Sequence, residues 1–310
     1  MDSLDFNRDL ATARGLADAY VPQDDQDITK RLLVAMLDHA PTEQGQWNLS
    51  RDILDCTKHK AGEESDFDVK LQELAEWYKV CFLIPIGFNA SLRPDPNEYW
   101  ASRGEDMSQY ERNVLRRDNY RSVISGIVDY DSARNGWVKR PVNSTTFTQP
   151  AHIMLPFLGK CDEQALVWTA LERFSGIKLA NDLCGQNIDR LENVFTLSVG
   201  EHSGFEQMIG WLEPVPGEQH TYQMCASMDN YSDFLPGGIV RFTTTDPTLP
   251  LPDPRFIATH AACAKVLHVS GMQRHIYRMT DEWEYLLDLS EDNASAALSV
   301  ALISAGATAW

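Results

Sequence analysis

Three residues of this 310-residue chain have types and spacing that could do chemistry: His152, Asn193 and His202. His152 closes an alternating, strand-like run, FTQPAHIMLPF (147–157), just after Pro150. Asn193 opens NVFTLSVGEHSGFE (193–206), and His202 lies where that segment turns helical. A lone histidine beside an apolar run is more often a satisfied structural residue, so the argument rests on the set. On a strand, a loop and a helix in that order, such a set does definite chemistry. The first His takes a proton from water, an Asn carbonyl orients that imidazole, and the second His holds a divalent ion against a phosphate.

Elements on both sides must position these residues. DITKRLLVAMLDHA (27–40) has apolar residues at helical spacing, with Asp27 as its cap. DVKLQELAEWYKVCFLIPI (68–86) repeats the pattern until Pro85 is expected to stop it, and EDMSQYERNVLRRDNY (105–120) predicts a third helix with basic residues at its carboxyl end. LRPDPNEYW (92–100) reads as a loop. The period then changes. YRSVISGIVDY (120–130) is β-branched and bounded by Gly126, so it predicts a strand and turn, with NSTTFTQPAHIML (143–155) as its partner. A helix is expected over 162–175, a hairpin over GWLEPV and HTYQMCAS, an Ala-rich helix from Pro254 to Tyr277, and a further helix at DEWEYLLDL. The DDQD at 24–27 precedes a helix instead of lying on one, which argues against an aspartate-rich metal site of the terpene-cyclase kind.

Four separated segments carry more specific wording. RDNYRSVISGIVD (117–129), AHIMLPF (151–157), NVFTLSVGEHSGFE (193–206) and LPDPRFIATHAACAKVLHVSG (251–271) together resemble the fungal branch of HNH endonuclease-like proteins. That group reads approximately RDxYRCVVTG, AHIxPF, N-x-x-x-L-x-x-x-x-H-x-x-F and LHAACAKVAHLSG, in the same order. The resemblance implies an α+β fold, mainly helical around a small ββα-metal core. It also implies a helical region over 1–104, the core with a helical insert (162–188) and a carboxyl-terminal helix over 105–275, and a helical tail over 276–310. On that match His152 is the general base, Asn193 orients it and His202 is the metal ligand. Three positions depart from the pattern: Ser122 stands where Cys is usual, AHIMLPF carries one extra residue before Pro156, and Gln149 stands where an acidic residue is often found. Ser122 is expected to pack in place of Cys, with no nucleophilic role.

Charge bears on the substrate. The formal net charge is −18. From Pro150 to Val240 twelve Asp and Glu face four Lys and Arg. Neutralising several backbone phosphates takes several cations, so nucleic acid is disfavoured as a partner, although Arg112, Arg116 and Arg117 could supply phosphate contacts. Membrane surfaces are disfavoured on the same ground. The six cysteines (56, 81, 161, 184, 225, 263) form no CxxC pair, so reduced thiols are expected. The acidic amino terminus lacks an apolar signal core, and the uncharged ASAALSVALISAGATAW is short for a membrane span, so a cytoplasmic protein is expected.

These observations point to a nuclease-like scaffold turned to a small, largely apolar molecule of fungal secondary metabolism, through a cyclisation or cycloaddition that needs no cofactor. Trp77, Tyr78, Trp168 and Trp211 are the candidate aromatic walls, and the core supplies one or two hydrogen-bond donors. The alternatives are an Mg²⁺- or Mn²⁺-dependent endonuclease, as the resemblance directly implies, and an inactive interaction module.

Overall fold

The structure is a computed structural model and describes residues 3–58, 66–91, 108–139, 144–227 and 238–289. The chain runs through α1 (Ser3–Ala19), α2 (Thr29–His39), α3 (Glu43–Asp55), α4 (Phe67–Tyr78) and α5 (Ile84–Ser91). Then come α6 (Gln109–Arg117), β1 (Val128–Asp129), α7 (Tyr130–Arg134), β2 (Thr145–Thr146) and β3 (Thr148–His152). After α8 (Ala165–Ser175) follow β4 (Val194–Ser198), α9 (Val199–Glu206), β5 (Gly210–Pro214), β6 (Thr221–Ala226) and β7 (Ile239–Arg241). The helices α10 (Pro254–Ser270) and α11 (Met272–Leu289) close the described chain. The class is α+β, with helices outweighing three small sheets among the described residues. The expected loop at 92–100 and the uncharged carboxyl-terminal segment lie outside the described residues.

Two compact units form. One takes the chain up to Ser91, Cys161–Asn181, and the chain from Lys265 onward; the other takes Leu92–Lys160 and Asp182–Ala264. In the first, Leu32, Leu33, Met36, Leu49, Leu71 and Phe82 are buried, as their helical spacing requires. Helices α3 and α8 approach so closely that a Cβ on Gly45 would sit 2.1 Å from the Phe174 carbonyl oxygen. Only glycine fits there. Pro85 does not end its helix: the chain passes through a π-helical turn, Lys79–Leu83, and continues as α5. The wider turn accommodates the missing proline N–H. The long Ala-rich helix breaks at Gly271, whose φ is +83°, and DEWEYLLDL continues α11 instead of forming a helix of its own.

In the second unit β3 pairs antiparallel with β4, with His152 opposite Val194, and α9 follows β4 directly. The expected pairing of 120–126 with β3 does not occur. That segment is a turn: Asn119 and Tyr120 have φ of 56° and 58°, and Gly126 has φ of 70°. The Ser122 hydroxyl accepts from Ile124 N at 3.2 Å and Ser125 N at 3.4 Å. Local side-chain bonds outcompete the β propensity of Val123 and Ile124. The hairpin of β5 and β6 forms as expected, with β7 as a third strand.

Arg117, at the end of α6, is fully buried. Its five N–H groups all find acceptors. Nε and Nη2 donate to the two Asp118 oxygens at 2.7 and 3.0 Å, and Nη1 and Nη2 donate to the carbonyls of Leu191 (2.6 Å), Pro250 (3.3 Å) and Val194 (2.6 Å). Asp118 also accepts from Thr196 N at 2.7 Å, so the pair holds α6 against β4. Arg117 is therefore not a phosphate contact, contrary to the expectation, and Arg116 is paired with Asp246 at 2.8 Å.

Of the cysteines, Cys56, Cys81, Cys225 and Cys263 are thiols. Cys161 and Cys184 are disulfide-bonded, which departs from the expectation of reduced thiols.

Candidate functional site

The strand that carries His152 is anchored from two directions. Asp129 caps α7 through Ser132 N (2.7 Å), and its other oxygen accepts from the Thr148 amide (3.2 Å) and hydroxyl (2.9 Å) at the start of β3. At the far end of the strand, Asn193 is fully buried. Its Oδ1 accepts from Met154 N at 2.9 Å, and its Nδ2 donates to the carbonyls of Met154 (3.0 Å) and Ile188 (2.9 Å). The Asn193 side chain is therefore fully engaged with main chain. It does not orient the imidazole, as expected from sequence, but clamps the chain just beyond His152 to the turn Gly185–Asp189.

That turn supplies the real partner. His152 Nε2 lies 2.8 Å from Asp189 Oδ1. A carboxylate accepts, so Nε2 carries a proton, and in the neutral ring Nδ1 keeps its lone pair. The bond to His152 holds the Asp189 carboxyl below its ordinary range, against the opposing effect of partial burial. Asp189 was not singled out from the sequence: it lies 37 residues from His152, in a 3₁₀ turn with no motif of its own.

His202 belongs to the same neighbourhood. It sits on α9 with its Nδ1 bonded to the Gln149 side-chain amide nitrogen on β3, and its Nε2 is 3.6 Å from Glu206 Oε2. Burial, and secondarily the charge of His152, lower its pKa to about 4. Burial raises the Glu206 carboxyl, and the charge of His152 partly opposes that. His152, Asp189, His202, Gln149 and Glu206 thus combine a paired base, a neutral imidazole and a carboxyl that burial raises above its ordinary range.

Ser122 is fully buried, and its hydroxyl donates to Glu201 Oε2 at 2.5 Å. Glu201 also accepts from Ser198 N (2.8 Å) and Ser125 N (3.0 Å), closing the capping box of α9. Ser122 acts as a structural tie between the 120–126 turn and α9.

The four aromatics behave differently. Tyr78 is fully buried in the first unit, its hydroxyl donating to Asp52 at 2.7 Å beside the Asp52–Arg173 pair, and Trp77 meets its ring edge-on at 4.8 Å. Trp168 is buried in the core of that unit. Trp211 is in the second unit, 9% exposed, with its Nε1 donating to Glu213 at 2.9 Å. None of the four lines either of two described concavities. One of these is bordered by Asp24 and Asp27, whose carboxylates accept main-chain N–H groups (Gln26 and Asp27; Gln23 and Thr29) and so form turns ahead of α2. A cyclase-type metal role for DDQD has no support there.

Among the described residues no three His, Cys, Asp or Glu side chains group so as to hold a metal ion. At His202, Nδ1 is in contact with the Gln149 side-chain amide and Nε2 faces Glu206. Among the described residues, no helix is long and apolar enough to cross a membrane. No protein-family model, curated protein or solved structure matches the chain.

A second histidine bears on stability. His260, on α10, is fully buried and stacks on Phe205 at 3.9 Å and 4°, with Nε2 at 3.1 Å from the Phe205 carbonyl and Nδ1 unpartnered. Burial lowers its pKa from 6.5 to about 4. Between those values the unfolded chain binds a proton that the folded chain refuses, so stability falls as pH drops below about 6.5. The slope is about 1.4 kcal/mol per pH unit for the group. Denaturant unfolding across this window is expected to show that slope reduced by one proton's worth in His260→Leu. An unchanged slope would mean that the native state already carries a charged His260.

Proposed function

We propose that the chain is a small-molecule enzyme on an HNH-like scaffold, catalysing an isomerising cyclisation by proton transfer, with His152 as the base. The observation that carries this reading is the pairing of His152 Nε2 with Asp189 at 2.8 Å, which presents an oriented Nδ1 lone pair on a side chain 19% exposed. A base oriented by a carboxylate contributes to proton transfer without further machinery. The surrounding charge favours a neutral or cationic substrate: Asp189 and Glu206 stand beside the two imidazoles, and the neighbouring cations Arg116, Arg117 and Arg190 are paired with Asp246, Asp118 and Glu192. The His152 Nε2–H is not one of the donors expected of the core in this reading, because it is engaged with Asp189.

A second reading, a divalent-metal-dependent endonuclease, is favoured by one feature: the order β3, β4, α9 with His152 at the end of β3 and His202 on α9. Incubation with plasmid DNA and Mg²⁺ or Mn²⁺, over a range of salt, separates the two. The small-molecule reading expects DNA to stay uncut throughout. Metal-dependent nicking that weakens with salt, and that is lost in both His152→Ala and His202→Ala, would overturn it.

A further inference from the structure

We propose that the second unit holds a binding site separate from His152, for a small uncharged molecule with a hydroxyl group on an apolar body, and that His220 recognises the hydroxyl. The site is a concavity of about 460 Å³ bounded by His220, Thr244, Glu192 and the proline-rich segment 247–254. That volume lies within the range of small-molecule sites. It shares no lining residue with the His152 neighbourhood.

His220 ends the loop between β5 and β6, where Val215 N donates to the Thr221 carbonyl at 2.9 Å. Its φ is +48°, in the left-handed region that glycine enters without steric penalty, and the same loop does use glycine at 217. The backbone alone would therefore place a glycine at 220. Strain of this kind collects at functional sites. The fold gives the imidazole no partner of its own. Nδ1 is buried without a hydrogen bond, and the ring makes none to any other described residue. With Nδ1 closed off, the ring meets the concavity through the edge that carries Nε2. The Thr244 hydroxyl is taken up by Asp246, donating to its carbonyl and accepting from its amide at 3.1 Å each. His220 Nε2 is the polar group left open.

The rest of the lining sets what kind of molecule fits. Every residue from 249 to 254 is a proline or precedes one, so covalent geometry limits the backbone of all six. The wall of Pro247, Pro250, Leu251 and Pro252 is thus apolar and rigid before anything binds, and little freedom is lost on binding. Among the described residues no Lys or Arg borders the concavity, and its two carboxylates are engaged. Glu192 accepts from Arg190 at 2.9 Å, and Asp253 accepts from Arg255 at 2.7 Å. An anion would meet two carboxylates and no lining cation, and an ammonium would compete with two guanidinium groups. An uncharged molecule avoids both. A neutral imidazole Nε2 donates or accepts according to which nitrogen carries the proton. A hydroxyl does either, so it matches the ring in both tautomers, where a carbonyl or an ether would match one.

The test compares four probes built on one ring: benzyl alcohol, toluene, benzylammonium and benzoate. Full-length protein with ¹³C-labelled leucine methyls and ¹⁵N-labelled histidine rings reports binding at Leu251 and His220. Benzyl alcohol is expected to shift both sets of signals saturably, and to bind about three- to tenfold more tightly than toluene, the worth of one hydrogen bond. The two charged probes are expected to bind no better than toluene. His220→Gly removes the imidazole and suits the positive φ, so it is expected to leave the thermal midpoint nearly unchanged while erasing the preference for benzyl alcohol. The absence of a saturable shift at Leu251 and His220 overturns the proposal. A charged probe that binds as tightly as benzyl alcohol also overturns it, as does a preference that survives His220→Gly. If His220→Gly fails to fold, the four probes on the natural chain decide alone.

Discussion

His152→Ala is expected to lower kcat/KM by about 10²- to 10⁴-fold, the usual contribution of a positioned general base, while leaving the thermal midpoint nearly unchanged. The side chain is partly exposed and its one hydrogen bond is to the surface carboxylate of Asp189, so little packing is lost. His152→Gln is expected to fail as completely as alanine. Its amide can replace the Nε2–H donated to Asp189, but it cannot take a proton where Nδ1 stood. Asp189→Asn is expected to retain the imidazole and lose much of the rate, because a primary amide no longer demands a proton on Nε2 and the ring can present the wrong nitrogen. Measuring kcat/KM against pH for all three, with circular dichroism to confirm folding, checks the scheme. Substantial turnover in His152→Gln would show that donation, and not proton removal, is what His152 contributes.

The constellation was legible in the sequence where its parts sit on regular elements. The alternation ending at His152 marked the carboxyl end of β3, and His202 was placed where its segment turns helical, on α9. What joins the parts was not legible. Asp189 carries the chemistry of His152 from a 3₁₀ turn whose sequence, GQNID, reads as a polar connector. Asn193 was found by type and place, yet its role came out differently, because a buried amide takes whichever main-chain groups the fold leaves unsatisfied. The 120–126 segment shows the same limit: Val123 and Ile124 carry β propensity, but Ser122 and Gly126 settle a turn. For Tyr78 and Trp168 periodicity marked the buried face, and burial alone does not tell a core residue from a pocket wall.

Charge shows what exchange of partners does to such a reading. The helix QYERNVLRR ends in two arginines, and the sequence treats Arg116 and Arg117 alike, as surface cations suited to a helix carboxyl terminus. The fold separates them: Arg116 remains half exposed beside Asp246, and Arg117 is drawn fully inside. Because Asp118 is withdrawn with it, the surface loses one charge of each sign and its net charge is unchanged.

Arg117→Met is expected to destabilise the second unit by about 3–5 kcal/mol, the largest stability effect anticipated for a single substitution. The loss is not the strength of one ion pair. Removing the guanidinium strands the Asp118 carboxylate, which is 2% exposed and then keeps only the Thr196 N–H. It also leaves the carbonyls of Leu191, Pro250 and Val194 without the donors that now satisfy them. Lysine cannot substitute, because three donors on a point charge cannot reach five acceptors set around a planar fork. Asp118→Leu alone should be as damaging, by leaving a buried cation. The double variant Arg117→Met with Asp118→Leu should recover part of the loss, giving a coupling of a few kcal/mol in a double-mutant cycle. Urea unfolding followed by circular dichroism measures all three. Additive losses in the double variant would show that the pair acts as two independent anchors, and a loss under about 1 kcal/mol in Arg117→Met would place the guanidinium in water.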